Sequence, residues 1–174
     1  MQAVVVREFG PSEDHQIEEF PDPTPGPGQV LIDVAAIGLN FSDRLMMQGR
    51  YQVRPNRPFV PGRDAAGVVS AVGDGVTRCA PGDRVLAVVT HGAYAEMLAA
   101  DETHCFVIPD QMPFTTAAAM GNVYLTAYLA AVERGRMRSG ETVLVTGASG
   151  GVGLACVDIA RARGATVIAG VTSP

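Results

Sequence analysis

The stretch that decides the fold class is TVLVTGASGGVGLACVDIARARGATVIA, residues 142–169. It opens with an apolar run at 142–146, passes through a glycine-rich turn and continues into a helical stretch at 152–163. A second apolar run follows at 165–169. This order predicts a β-α-β unit, the building block of parallel sheets.

The glycine-rich turn indicates a binding function. On the dinucleotide fingerprint GxGxxG, Ala148 falls at the first position, Gly150 at the second and Gly153 at the third. These positions make the tight turn, let the backbone approach a pyrophosphate and allow close helix–strand packing. The following helix aims unpaired N–H groups at that pyrophosphate. A purely structural turn is the alternative. The expected cofactor contacts are Ala148, Ser149, Gly150, Gly151, Val152 and Gly153.

The residues after the second apolar run favour NADPH over NADH. An NAD site usually carries an acidic residue here, which accepts a hydrogen bond from the ribose 2′-OH. Residues 169–174 contain none, and Thr172 or Ser173 could donate to a 2′-phosphate. We therefore expect NADPH as the cofactor and Ser173 among its contacts, although these hydroxyls could also be ordinary loop groups.

The turn also fits a second pattern, the TGxxxGxG turn of short-chain dehydrogenases, through Thr146, Gly147, Gly151 and Gly153. In that family the turn lies near the N-terminus. Here a long β-rich region precedes it, which favours the first interpretation.

That β-rich region reads as short strands separated by turns. Alternation over residues 30–37 predicts a strand, residues 73–75 favour a hairpin turn, and residues 81–83 turn the chain into another strand. Many short strands with glycine and proline turns point to a β-barrel or sandwich. Beyond residue 111 the pattern changes, and 114–120 and 123–137 are predicted to form two helices.

Charge and cysteine content exclude several classes of protein. A net charge of −5 and a pI near 5.1 argue against nucleic-acid and anionic-membrane partners. No apolar run reaches the roughly 18 residues of a membrane span, and the start lacks the features of a signal peptide. The three cysteines fit neither a disulfide framework nor a CxxC motif. We therefore expect a cytoplasmic protein.

Five further segments occur in order along the chain: GLNFSD (38–43), PGRDAAGVV (61–69), GV to PGDRV (75–85), GAYAE (92–96) and LTAY (125–128). Together they resemble the medium-chain dehydrogenase/reductase family and, within it, the zinc-free, zeta-crystallin-like quinone oxidoreductases. The resemblance implies a GroES-like barrel domain over residues 1–122. It also implies the start of a Rossmann NADP-binding domain over residues 123–174.

The resemblance further implies that no metal is bound. Zinc-dependent members carry Cys at the position of Asn40, His at that of Arg63 and another Cys near Asn122. A catalytic zinc needs three such ligands, and an amide and a guanidinium are poor substitutes. The segment Asp83–Asp101, where a structural zinc lobe would lie, contains no cysteine.

Without zinc, the substrate must accept hydride readily, as quinones and α,β-unsaturated carbonyls do. By resemblance, Asn40 would donate a hydrogen bond to the substrate or the nicotinamide amide. Tyr51 would be a proton donor or oxyanion partner, or else a packed loop aromatic, since Leu45 replaces a tyrosine frequent in the family. Asp43 would bond local backbone groups. Thr126 would touch the cofactor or serve helix packing.

The cofactor domain is expected to be incomplete within this chain, because two strands and one helix do not make a Rossmann half. Two alternatives to a quinone or enone reductase stay open. One is an enoyl-thioester reductase, which uses the same parts. The other is a truncated, non-catalytic family member that binds a partner or NADPH. The family also implies a homodimer when the chain is full length.

Overall fold

The structure is a computed structural model that describes residues 1–172. Packing divides the chain into two compact units, one spanning Met1–Gly121 and one beginning at Asn122. Within residues 1–172, no helix has both the length and the apolar character that a membrane crossing requires.

The first unit is rich in strands, as the sequence predicts. Its elements are β1 (Gln2–Val4), β2 (Ile17–Glu19), β3 (Gln29–Gly38), α1 (Phe41–Met47), β4 (Asp64–Val72), β5 (Arg84–Val88), β6 (Met97–Asp101) and β7 (Cys105–Val107), with 3-10 turns at Ser12–Asp14 and Glu102–His104. A five-stranded antiparallel sheet has the order β6-β3-β4-β5-β7, and β1 and β2 form a separate antiparallel pair. Backbone bridges from Ala3 to Ala95 and from Val6 to Phe59 tie the N-terminal segment to later parts of the unit.

The core of this unit follows the alternation seen in the sequence. Val30 and Ile32 are fully buried on one face of β3, while Asp33 is exposed on the other. This is the period of two expected of a strand with one buried face. β3 pairs with both β4 and β6 and therefore lies inside the sheet. The main buried cluster comprises Val30, Ile32, Ala65, Val69, Cys79, Val85, Ala87, Ala93, Leu98, Ala100 and Cys105.

The prediction of a tight hairpin turn at residues 73–75 is wrong, because a longer loop connects the two strands. β4 ends at Val72 and pairs with β5, which begins only at Arg84. The intervening loop reaches back to the segment before β3, because the Gly28 N–H donates to the Asp74 carbonyl at 2.8 Å. A long-range contact thus replaces the local one that the glycines favour.

The helical conformation predicted at residues 114–120 and 123–137 is confirmed over most of both ranges, but the predicted break between them is wrong, because one helix, α2 (Phe114–Tyr128), continues through Gly121. Packing against the side chains of Asp64 and Val88 holds Gly121 in place despite its weak helix propensity. A π-helical segment, Leu129–Arg134, then follows instead of more α-helix. Beyond it, Met137 is buried, and its N–H donates to the Ala131 carbonyl at 3.0 Å.

The second unit confirms the predicted β-α-β order. β8 (Thr142–Thr146), α3 (Gly151–Ala162) and β9 (Thr166–Gly170) match the predicted elements to within one residue. β8 and β9 are parallel, with Leu144 opposite Ile168. A parallel pair needs such a crossover helix between its strands.

Candidate active site

Asn40 lies between the end of β3 and the start of α1 and is the cap residue of that helix. Its backbone N–H donates to Asp43 Oδ2 at 2.9 Å, and the Asp43 N–H donates back to the Asn40 carbonyl at 3.0 Å. Asp43 therefore bonds the local backbone, and this reciprocal pair fixes the chain at the position of Asn40.

The side chain of Asn40 is held by a second acid. Its Nδ2 donates to Asp64 Oδ2 at 2.7 Å. Asp64 is the first residue of β4 and is only 2% exposed. Glycines surround it: a Cβ at Gly121 would lie 2.5 Å from Asp64 Oδ1, and a Cβ at Gly38 would lie 2.9 Å from Asp64 Cβ. The carboxylate thus occupies a tight cradle.

Tyr94 completes this network from a distant part of the sequence. Its hydroxyl donates to Asp43 Oδ2 at 2.9 Å. Burial raises the pKa of Asp43, partly offset by the hydrogen bonds from Tyr94 and Asn40. Burial, together with the charge of Asp43, also raises the pKa of Tyr94. Tyr94 is therefore a stable donor at neutral pH, and the network comprises Asn40, Asp43, Asp64 and Tyr94.

Gly62 makes room for Tyr94. It adopts a φ of +90°, and a Cβ there would lie 2.6 Å from Tyr94 Cε1 and closer still to Cδ1. Glycine is therefore required at position 62.

Sequence reasoning assigned no role to Tyr94 or Asp64. The available signal was their presence in the segments GAYAE and PGRDAAGVV.

Tyr51 belongs to a different contact. Its hydroxyl accepts a hydrogen bond from Arg63 Nη1 at 3.2 Å, and the Arg63 guanidinium carbon lies 5.9 Å from the centre of the Tyr51 ring. The half-buried ring packs against a small cluster that includes Met46 and Phe59. One face of the Tyr51 ring is thus packed, and its hydroxyl is hydrogen-bonded to a cation.

The turn between β8 and α3 has its left-handed residue at Gly147, with a φ of +65°. The fingerprint alignment assigned the tight turn to Ala148 instead. Ala148 is buried, and its N–H donates to the Gly170 carbonyl at 3.0 Å. The left-handed conformation favours glycine, which explains why residue 147 carries the turn.

The other two glycines of the fingerprint differ in what the fold demands of them. A Cβ at Gly153 would lie 2.8 Å from Ala148 Cα, so close packing of the helix onto the turn requires glycine there. At exposed Gly150 the backbone is extended, and a Cβ would meet only the Gly147 carbonyl oxygen at 3.5 Å. Packing within the chain therefore tolerates a side chain at position 150.

The start of α3 presents backbone donors beside Gly150. The first intrahelical bond runs from the Leu154 N–H to the Gly150 carbonyl at 2.8 Å. The N–H groups of Gly151, Val152 and Gly153 precede it and have no acceptor within the helix. This arrangement suits an anion such as a pyrophosphate.

Comparison with known proteins identifies the family. Residues 26–110 match the alcohol dehydrogenase GroES-like domain. Human quinone oxidoreductase is 44% identical over 171 residues, which cover 97% of this chain and 52% of that protein. The chain belongs to the medium-chain dehydrogenase/reductase family. It spans about half the length of the curated relatives it matches.

Solved structures of this family superpose closely on the chain. The quinone oxidoreductase of Thermus thermophilus, whose structures include a complex with NADPH, gives a TM-score of 0.86 at 37% identity, covering 100% of this chain and 54% of that one. The human synaptic vesicle membrane protein VAT-1 homolog-like protein gives 0.93 at 37% identity, covering 99% and 56%. The GroES-like fold predicted for the first domain is thereby confirmed.

Two further residues were predicted to contact the cofactor of this family. Thr126 is exposed on α2, and its hydroxyl donates to the Asn122 carbonyl at 2.7 Å. This is the common bond of a helical threonine to the carbonyl four residues earlier. Ser173 lies outside the described residues.

Residues 1–172 contain neither a cluster of metal-binding side chains nor a cysteine pair. No group of three His, Cys, Asp or Glu side chains within residues 1–172 is arranged to hold a metal ion. All three cysteines are unpaired. Burial raises the pKa of the Cys105 thiol to about 12 and also raises the pKa of Cys79. Neither thiol therefore has the lowered pKa of a nucleophile.

Proposed function

We propose that the protein reduces quinones or α,β-unsaturated carbonyls by hydride transfer from NADPH, without zinc. The observation that carries this proposal is Gly150, an exposed glycine beside the first N–H groups of α3 whose own packing does not require it. A ligand bound directly against the backbone of this turn would explain why position 150 has no side chain. The similarity to quinone oxidoreductases supplies the reaction class.

The residues at the turn fit the phosphates of a dinucleotide. The N–H groups of Gly151, Val152 and Gly153 would bind the pyrophosphate, with Ser149 beside them, and Thr126 would contact the cofactor from α2. NADPH, when bound, supplies the hydride. The choice of NADPH is supported by the strand tip, since no acidic residue occurs from Thr166 to Thr172, and by the NADPH complex of the Thermus thermophilus relative.

The polar residues of the first unit support a reaction without zinc. Asn40 and Arg63 stand where zinc-dependent relatives carry ligands, and both are engaged in hydrogen bonds to protein groups. A guanidinium also repels a metal cation. In the proposed reaction, Asn40 binds the substrate or the nicotinamide amide, and Tyr51 stabilises the reduced oxygen or protonates it. Asp43 holds the segment. A homodimer and a cytoplasmic location remain predictions.

The first test separates cofactor binding from folding. Gly150→Ala in the full native protein is expected to retain the wild-type melting temperature and to weaken NADPH binding by about tenfold or more, equivalent to about 1.4 kcal/mol. Gly10→Ala is the matched control, because its Cβ would meet only the Asp14 side chain, with Oδ2 nearest at 3.2 Å, and it belongs to the first unit. Unchanged NADPH affinity in Gly150→Ala would show that the turn does not bind the pyrophosphate.

The second test addresses the reaction. NADPH oxidation is measured with a panel of quinones, enones and an enoyl thioester. Turnover of quinones or enones supports the proposal, whereas exclusive turnover of the thioester assigns the enoyl-thioester reductase activity. NADPH binding without any turnover indicates the non-catalytic alternative.

A further inference from the structure

We infer that Asp64 is a positioning residue that selects one orientation of the Asn40 carboxamide. The inference rests on the proposed function, in which that amide binds the substrate or the nicotinamide. It gives a role to a buried acid that the proposed reaction does not otherwise use.

The chemistry of the contact determines the orientation. An ionised carboxylate has only acceptors, whereas the two ends of a carboxamide are a donor and an acceptor. Asp64 Oδ2 therefore binds the NH₂ end of Asn40, at 2.7 Å, and the carbonyl end must face away from Asp64. Hydrogen bonds to ionised groups are the stronger kind, so the reversed amide is strongly disfavoured.

The surroundings of Asp64 keep its carboxylate from following the amide. Gly38 and Gly121 approach so closely that a Cβ at either position would collide with the Asp64 side chain. Gly38 is also the direct register partner of Asp64 across β3 and β4. The Asp64 carboxylate is therefore held in place by strands of the sheet, which position a group more precisely than loops do.

The backbone of Asn40 is held independently of its side chain. Asp43 Oδ2 accepts the Asn40 N–H and is held in turn by the Tyr94 hydroxyl. Asp43 and Asp64 are 1% and 2% exposed, and Asp43 Oδ1 has no hydrogen-bond partner. Burying carboxylates costs free energy that apolar side chains would not. Two buried acids nevertheless bind the one half-buried residue Asn40. Their arrangement points to a role in positioning its amide rather than in stabilising the fold.

The test is a double-mutant cycle on kcat in the full native protein. Asp64→Asn keeps the shape but offers either end of an amide, so Asn40 can adopt both orientations. We expect kcat to fall on the order of 10-fold, with a smaller change in KM and an unchanged melting temperature. In an Asn40→Ala background, Asp64→Asn is expected to have no further effect on kcat, because its partner is gone.

The exposed Asp33→Asn on β3 is the matched control and should leave kcat unchanged. Multiplicative losses in the Asn40→Ala, Asp64→Asn double variant would overturn the inference, because Asp64 would then act independently of Asn40. Absence of turnover in the wild type would instead count against the proposed function.

A second readout does not depend on activity. The side-chain NH₂ resonances of Asn40, identified by their loss in Asn40→Ala, should exchange slowly with solvent and shift in Asp64→Asn. An Asn40 amide that exchanges as fast as exposed asparagine side chains, and that does not respond to Asp64→Asn, would overturn the inference.

Discussion

Replacing Gly62 by alanine should remove the support beneath the Asn40 network. The new Cβ would lie 2.6 Å from Tyr94 Cε1 and closer to Cδ1, whereas carbon atoms pack at about 3.5 Å or more. The Tyr94 ring must therefore move by about 1 Å. Its hydroxyl, now 2.9 Å from Asp43 Oδ2, would then lie beyond hydrogen-bond distance.

Three costs contribute to the loss of stability. Alanine at positive φ costs about 1–2 kcal/mol, and overpacking costs about 1–3 kcal/mol. Loss of a hydrogen bond to a charged group costs about 1.5–3 kcal/mol. We expect Gly62→Ala to lower the free energy of unfolding by about 4 kcal/mol or more, the sum of these three costs. Gly75→Ala, with a φ of +79° and no atom within 4 Å of the new Cβ, should lose only the backbone contribution.

The assay is urea unfolding followed by far-ultraviolet circular dichroism, since the sequence contains no tryptophan. In a Tyr94→Ala background the overlap disappears, and Gly62→Ala should then cost only about 1–2 kcal/mol. Equal losses in Gly62→Ala and Gly75→Ala would refute the reasoning. So would an unchanged cost of Gly62→Ala after Tyr94 is removed.

Two further predictions concern the first unit. Burial raises the pKa of Asp43 above its ordinary value of 3.8, so the folded state holds the proton more tightly than the unfolded state. The contribution of Asp43 to the free energy of unfolding should therefore fall as pH rises from 3.8 to the folded-state pKa; urea unfolding across this range should show that the wild type loses free energy of unfolding relative to Asp43→Asn as pH rises. Ile32→Ala, at a fully buried site in β3, should cost about 2–5 kcal/mol in the same assay. Ile17→Ala, where the side chain is 70% exposed, should stay within about 0.5 kcal/mol of the wild type, and similar losses at both positions would contradict the assigned core.

The β-α-β unit can be predicted because its signals are local. The apolar run at 142–146, the glycines and the helix follow one another within a short stretch, and each agrees with the next. The alternation of buried and exposed residues along β3 can likewise be predicted, because one face of the strand is buried and the other is not. Periodicity predicts such elements wherever burial is one-sided.

The wrong predictions arise where distant contacts override local preference. Gly121 favours a break between two helices, yet its contacts with Asp64 and Val88 hold it within α2. The glycines at 73–75 favour a tight hairpin, but the Asp74 carbonyl instead accepts a bond from Gly28. Tertiary packing decides both cases, and a single sequence does not display it.

The side-chain hydrogen bonds of the candidate site also cannot be predicted from local sequence patterns. Tyr94 meets Asp43 across 51 positions, and Asp64 meets Asn40 across 24. Sequence reasoning selected Asn40 and Asp43 and missed the two residues that support them. The strands determine these meetings through their register, as when the pairing of β3 with β4 places Gly38 opposite Asp64.

One packing problem nevertheless explains why these residues occur together. The backbone and the side chain of Asn40 are held separately. Asp43 accepts a hydrogen bond from its backbone N–H, and Asp64 accepts one from its side-chain amide. A buried Asp43 then needs a neutral donor, which Tyr94 supplies, and the Tyr94 ring needs a position without a side chain, which Gly62 supplies. Truncating Asp43, Asp64 or Tyr94 would remove a hydrogen bond from this network, and a side chain at position 62 would collide with Tyr94. The segments GLNFSD, PGRDAAGVV and GAYAE therefore meet in one hydrogen-bonded network around Asn40.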